Sequence, residues 1–149
     1  LKARIEQHEK SGDHAAIFGS LAAAESLGRR GRKEWVRQVH KASGAPDREV
    51  VVVFETHKTP EGLRYTWRKA DDQSKRAGVG VEPTLSEGYW QIVDKKGRTQ
   101  LTYEVRYLAG GRVPAFLVRW FQGSGIRAVI HELRTFVDAR EARRWRPSD

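Results

Sequence analysis

Apolar and polar positions change period twice along this chain of 149 residues. Near its start, Ser11-Gly12-Asp13 offers a helix cap, and Ile17, Leu21, Ala24 and Leu27 recur at helical spacing as far as Gly28, a natural stop. The pattern predicts an N-terminal helical segment within 1–28. Residues 34–41 are short and half apolar, Gly44-Ala45-Pro46-Asp47 is a turn, and 50–56 is a β-branched run that reads as a strand. A second turn, Thr59-Pro60-Glu61-Gly62, predicts a hairpin into 63–68. There Leu63, Tyr65 and Trp67 share one face, and Arg64, Thr66 and Arg68 the other.

After a polar loop at 71–75, a Gly/Val strand is expected near 77–81 and a further strand at 88–94. Lys95-Lys96-Gly97 then turns the chain into 98–107, the cleanest half-buried alternation. Leu101, Tyr103, Val105 and Tyr107 oppose Thr102, Glu104 and Arg106, and Gly110-Gly111 ends the strand. Beyond Pro114 the period is helical. A short apolar helix runs to Phe121, Gly123-Ser124-Gly125 breaks it, and a long helix follows. Ile126, Val129, Ile130, Leu133, Phe136 and Val137 form a stripe along that helix. This is the order of an α+β fold in which a curved antiparallel sheet wraps the last helix, as a single domain over 1–149.

Alternation fixes which residues face inward. Glu55 belongs outside, so Arg48, Val50, Val52 and Phe54 point in; Tyr65, Trp67, Leu101, Tyr103 and Val105 join them. An inward Arg48 requires a carboxylate partner or a polar ligand headgroup, because an uncompensated buried charge costs several kcal/mol; an ion pair is the favoured reading. Trp90, Phe116, Trp120, Val129, Leu133 and Phe136 complete the inward apolar set. Pattern alone is compatible with a filled core and with a cavity. The glycines of the 123–125 break would let the last helix pivot as a lid.

Charge adds a surface property. Lys and Arg number 28 against 19 Asp and Glu, leaving +9, which favours anionic partners. Arg29, Arg30, Arg32 and Lys33 form the densest basic run, a candidate contact for an anionic membrane surface; Arg140, Arg143, Arg144 and Arg146 form another. Solvated faces would account for the same runs. Zero cysteines exclude disulfides, thiol nucleophiles and thiolate metal sites. No signal-peptide core or membrane-length apolar stretch is seen, so a cytoplasmic location is expected.

Enzyme motifs fail in turn. His131-Glu132-Leu133-Arg134-Thr135 has Thr where a zinc-binding HExxH needs its second His, and Gly78-Val79-Gly80 is a fragment of a dinucleotide fingerprint. Gly123-Ser124-Gly125 is not a nucleophile elbow. His8, His14, His40, His57 and His131 are scattered without ligand spacing, and no metal or cofactor is expected.

Four segments carry a family resemblance: Asp47-Arg48-Glu49-Val50-Val51-Val52, Gly88-Tyr89-Trp90, Tyr103-Glu104-Val105-Arg106-Tyr107, and Gly110-Gly111-Arg112-Val113-Pro114-Ala115-Phe116-Leu117-Val118. In this order they resemble the START-type lipid-transfer domains of the helix-grip superfamily, most specifically in the last segment. The resemblance is clearest over 34–134. It implies a hollow domain that binds and transfers a hydrophobic ligand, a lipid or sterol, under the C-terminal helix. A complete family domain is longer and begins with more strands, which are not found in 1–32, so a chain lacking its N-terminal strands is expected. Alternatives from other classes are a superfamily enzyme, of cyclase, aromatase or hydrolase type, that polarises a carbonyl through Tyr103, Tyr65 or Arg48, and a basic nucleic-acid-binding module. Against the last, only Trp35 interleaves the basic run.

Overall fold

The structure, a computed structural model, describes residues 21–42, 44–113 and 125–144, with the side chains of the last helix described as far as residue 139. Six strands follow one another: β1 (Leu21–Arg30), β2 (Lys33–His40), β3 (Arg48–Thr59), β4 (Gly62–Lys69), β5 (Leu85–Lys95) and β6 (Arg98–Leu108). Helix α1 (Ile126–Arg144) comes last. The sheet order is β1-β2-β3-β4-β5-β6, every neighbour antiparallel. This curved sheet grips the C-terminal helix, the expected α+β architecture.

Alternation sorts the strands as expected. Leu63, Tyr65 and Trp67 are buried while Arg68 is exposed, and in β6 Tyr103 is half-buried while Thr102 is exposed. On the inner face, Val36, Val50, Val52 and Trp67 pack as one cluster; Leu63, Tyr65 and Ile92 form a second beside it. In α1 Leu133 is buried and Val129, Ile130, Phe136 and Val137 half-buried, whereas Arg127, His131 and Arg134 are exposed. That is the one-sided stripe of a helix lying on a sheet.

Three expectations are corrected. Residues 21–28 are strand, not helix. Pairing of β1 with β2 is interrupted by irregularities between Leu21 and Ala23 and between Ser26 and Gly28. The first leaves Leu21 and Ala24, the partners of His40 and Gln38, on one face three residues apart, and Leu27 falls within the second, so the apolar spacing imitates a helix. The remainder of the N-terminal segment lies outside the described residues, as do the short helix to Phe121, Phe116, Trp120 and most of the 123–125 break.

Residues 77–81 are not a strand. They touch the sheet through a single bridge, Val81 to Arg48, with Glu49 N–H donating to the Val81 carbonyl at 3.0 Å and Val81 N–H to the Asp47 carbonyl at 2.8 Å. The amides of Ala77 and Val79 instead donate to the Glu49 carboxylate, at 2.5 and 2.9 Å. Those donors are no longer available to a ladder.

Arg48 is buried without a carboxylate partner among the described residues. It donates to three backbone carbonyls, those of Ala109 (2.8 Å), Gly110 (3.2 Å) and Pro46. Carbonyl dipoles converging on the guanidinium do what an ion pair was expected to do.

The connection from β4 to β5, residues 70–84, is why both faces of β3 are buried. β4 stops pairing at Val52, leaving the start of β3 with an open edge. Gln73 closes it: its side chain accepts from Val51 N–H at 2.9 Å and donates to the Val51 carbonyl at 2.7 Å. Glu49 and Val51 on the outer face are thereby sealed from water.

Candidate functional site

The gripped face of the sheet is an apolar and aromatic surface crossing β3 to β6. Register places Phe54 opposite Trp67, Tyr65 opposite Trp90, and Trp90 opposite Tyr103. Cross-strand neighbours on one face lie close enough for large rings to touch. Trp67 and Tyr103 are stacked with centroids 5.7 Å apart at 19°, and Trp90 lies 4.1 Å from Tyr103 at 32°. Phe54 meets Trp67 at 6.2 Å. Gly88 makes this possible. A Cβ there would stand 2.5 and 2.6 Å from the Trp67 indole and collide with the Glu104 carbonyl, so the missing side chain is the space in which the indole lies.

Of the sequence-predicted inward residues, the structure brings Val50, Val52, Trp67, Phe54, Trp90, Tyr103 and Val105 into one packed group, with Tyr65 and Leu101 in its neighbour. Phe54, Trp90, Leu101, Tyr103 and Val105 are only partly buried. Arg48 sits apart, at the end of the face where β2 turns into β3. With His40, Tyr107 and Val113 it lines a small pocket of about 10 Å³, room for about one water molecule.

Burial favours the uncharged forms of three titratable groups here, His40, Tyr103 and Tyr107. Burial pushes His40 down to about 4 and Tyr103 up to about 12. Burial also lifts Tyr107 to about 12, against the pull of the Arg48 charge. At neutral pH the face therefore presents a neutral imidazole and phenols that keep their protons beside the Arg48 guanidinium. Among the described residues no cluster of His, Asp or Glu could hold a metal ion, and no helix is long and apolar enough to cross a membrane.

Sequence reasoning missed the division of labour within Asp47-Arg48-Glu49. Asp47 accepts from Ala42 N–H at 3.1 Å, closing the β2–β3 connection. Arg48 braces the segment after β6 through Ala109 and Gly110. Glu49 holds the β4–β5 connection and pairs with Arg37 at 3.1 Å. Three consecutive charges thus fasten three different connections at one end of the sheet. The signal was available, since adjacent residues of a strand point to opposite faces and Glu49 had to be buried or solvated opposite Arg48.

The basic run falls on the first hairpin. Arg29, Arg30, Arg32 and Lys33 are all exposed around its turn. Arg29 pairs with the buried Glu34, while Arg32 and Lys33 both approach Glu55, at 3.8 and 3.9 Å.

No protein-family model matches the sequence and no curated protein matches it. Solved structures do match the fold. The STAR-related lipid transfer protein of Xanthomonas axonopodis superposes with a TM-score of 0.78 at 17% identity, over 90% of this chain and 77% of that one. The human StarD13 lipid transfer and protein localization domain gives 0.72 at 16% identity, over 89% and 69%. Human STARD10 gives 0.66 at 9% identity, over 91% of this chain and 57% of that one. The chain has the START-like helix-grip fold.

Proposed function

We propose that this protein binds one hydrophobic ligand, a lipid or sterol, between the aromatic face of the sheet and helix α1, and carries it between membranes. One observation carries the reading: toward the β5–β6 side of the sheet the gripped face, at Trp90, Leu101, Tyr103 and Val105, is only partly buried. We read their remaining exposure, beside the one-sided apolar stripe of α1, as space that a guest can fill. The fold supports it, since two of its neighbours bear the words lipid transfer in their names. On this reading the ligand contacts are Phe54, Trp67, Trp90, Leu101, Tyr103, Val105 and, from α1, Val129, Leu133 and Phe136.

Leu133→Trp tests it. In a filled core the larger ring overpacks and costs about 1–3 kcal/mol. In a cavity the indole occupies ligand space, so stability holds while uptake of a fluorescent fatty acid or sterol falls. Stability loss together with no uptake by the parent chain would remove the carrier reading.

A further inference from the structure

The antiparallel meander brings three hairpin turns to the same end of the sheet: β1–β2, β3–β4 and β5–β6. The long connections that Asp47, Arg48 and Glu49 fasten leave from the other end. At the hairpin end eight cations are exposed: Arg29, Arg30, Arg32 and Lys33 on the first tip, Lys58 on the second, and Lys95, Lys96 and Arg98 on the third. Among the described residues only Glu61 and Asp94 are exposed anions there, because Glu34 is buried and Glu55 half-buried. The opposite end, over 41–48, 69–84 and 108–113, exposes three cations (Lys41, Lys75, Arg112) and two anions (Asp71, Asp72). In sequence the run at 29–33 stands by itself; the topology joins it to charges almost seventy residues away.

Register sets the spacing. Lys33 lies opposite Glu55, four residues short of Thr59, and β5 runs two residues past Val93, the partner of Gly62. With about 3.3 Å per residue and about 10 Å between alternate strand gaps, adjacent tips stand about 12–16 Å apart on a slanting line.

The third tip holds a second observation. Lys96 has a φ of 47° beside Gly97 at 77°, a two-residue turn whose first position favours Asn or Gly. A lysine there is held in a left-handed conformation that its side chain disfavours, and it adds a charge to the tip. The exposed ion pairs at 3.8 and 3.9 Å to Glu55 are weak, so Arg32 and Lys33 remain available to another anion.

We propose that this end is a docking surface for the headgroups of an anionic lipid bilayer. It deepens the carrier reading, because a carrier must load and unload at a membrane. A bilayer suits three separated tips better than a nucleic acid strand does. The tip segments 29–33, 58–61 and 94–98 contain no aromatic residue on which a base could stack.

The test is flotation of the full chain with phosphatidylcholine vesicles, with and without phosphatidylserine, across a salt series. The parent should float only with anionic vesicles and release as salt rises. Arg30→Glu, Arg32→Glu and Lys96→Glu together should weaken binding at least about a hundredfold, at roughly fivefold per cation removed. Lys41→Glu, Lys75→Glu and Arg112→Glu, with the same change in net charge at the other end, should weaken it by less than about fivefold. Equal losses in the two triple variants, or equal binding to neutral vesicles, would overturn the proposal. So would tighter binding to a short single-stranded oligonucleotide than to anionic vesicles at the same salt. Thermal unfolding confirms that both variants fold. Uptake of a fluorescent fatty acid from solution separates the two readings: its absence with docking retained contradicts the carrier and leaves the docking surface standing.

Discussion

Glu49→Ala should loosen the β4–β5 connection and cost more stability than any surface change. The Glu49 side chain is fully buried, accepts from Ala77 and Val79 amides, and pairs with Arg37. Breaking a buried ion pair on one side costs about 3–5 kcal/mol. Two features reduce that figure: Arg37 keeps Glu25 at 2.9 Å, and the exposed backbone of 77–79 can turn to water. About 2–4 kcal/mol remains, or a melting-temperature drop of about 6–12 °C for a chain of this length. Burial alone would raise the Glu49 pKa, but the Ala77 amide, the Arg37 guanidinium and the Val79 and Gly78 amides outweigh it and hold the carboxyl below its ordinary value. A group depressed in the folded state stabilises above its unfolded pKa and loses that contribution as pH falls through its folded one. The gap between parent and variant should therefore be constant above about pH 5 and close below the ordinary carboxylate range. Urea unfolding across pH, with amide exchange at Ala77 and Val79, measures both. A loss under about 1 kcal/mol at neutral pH, or a gap that persists unchanged in acid, would refute the latch.

Gly88→Ala should push the Trp67 indole off Tyr103, costing about 1–3 kcal/mol and altering the near-ultraviolet circular dichroism; an unchanged spectrum would contradict the stacked arrangement. Lys96→Asn should raise stability by about 0.5–1 kcal/mol, because Asn accepts the left-handed turn, while weakening attachment to anionic vesicles. His40 is held down at about 4 by burial, so the unfolded chain takes up a proton that the folded chain refuses as pH falls from about 6.5. Stability should decline by about 2–3 kcal/mol over that window, and less in His40→Gln; an NMR titration placing the imidazole near its ordinary value would exclude this cause.

β4 and β6 were legible because one face of each is the more buried, which imposes a period of two on Leu63 to Trp67 and Leu101 to Tyr107, and β3 because a strand buried on both faces reads as an unbroken β-branched run. β1 was not, because two bulges erase that period. The 77–81 segment misled for the opposite reason: Gly and Val look like strand, but the amides are claimed by a carboxylate 28 and 30 residues away. The inward aromatic set could be read from phase. The partners of Arg48 could not, since the Ala109 and Gly110 carbonyls reach it only once six strands have closed the distance. Nor could the basic end, which exists only when a meander stacks alternate turns.

The central claim is that the space between the aromatic face and α1 holds a guest. Incubating the chain with a total cellular lipid extract, re-isolating it and recording its native mass spectrum tests this most directly. The account predicts one lipid bound per chain, lost in Leu133→Trp. A parent chain that emerges from the extract bare, at its own mass alone, would contradict it.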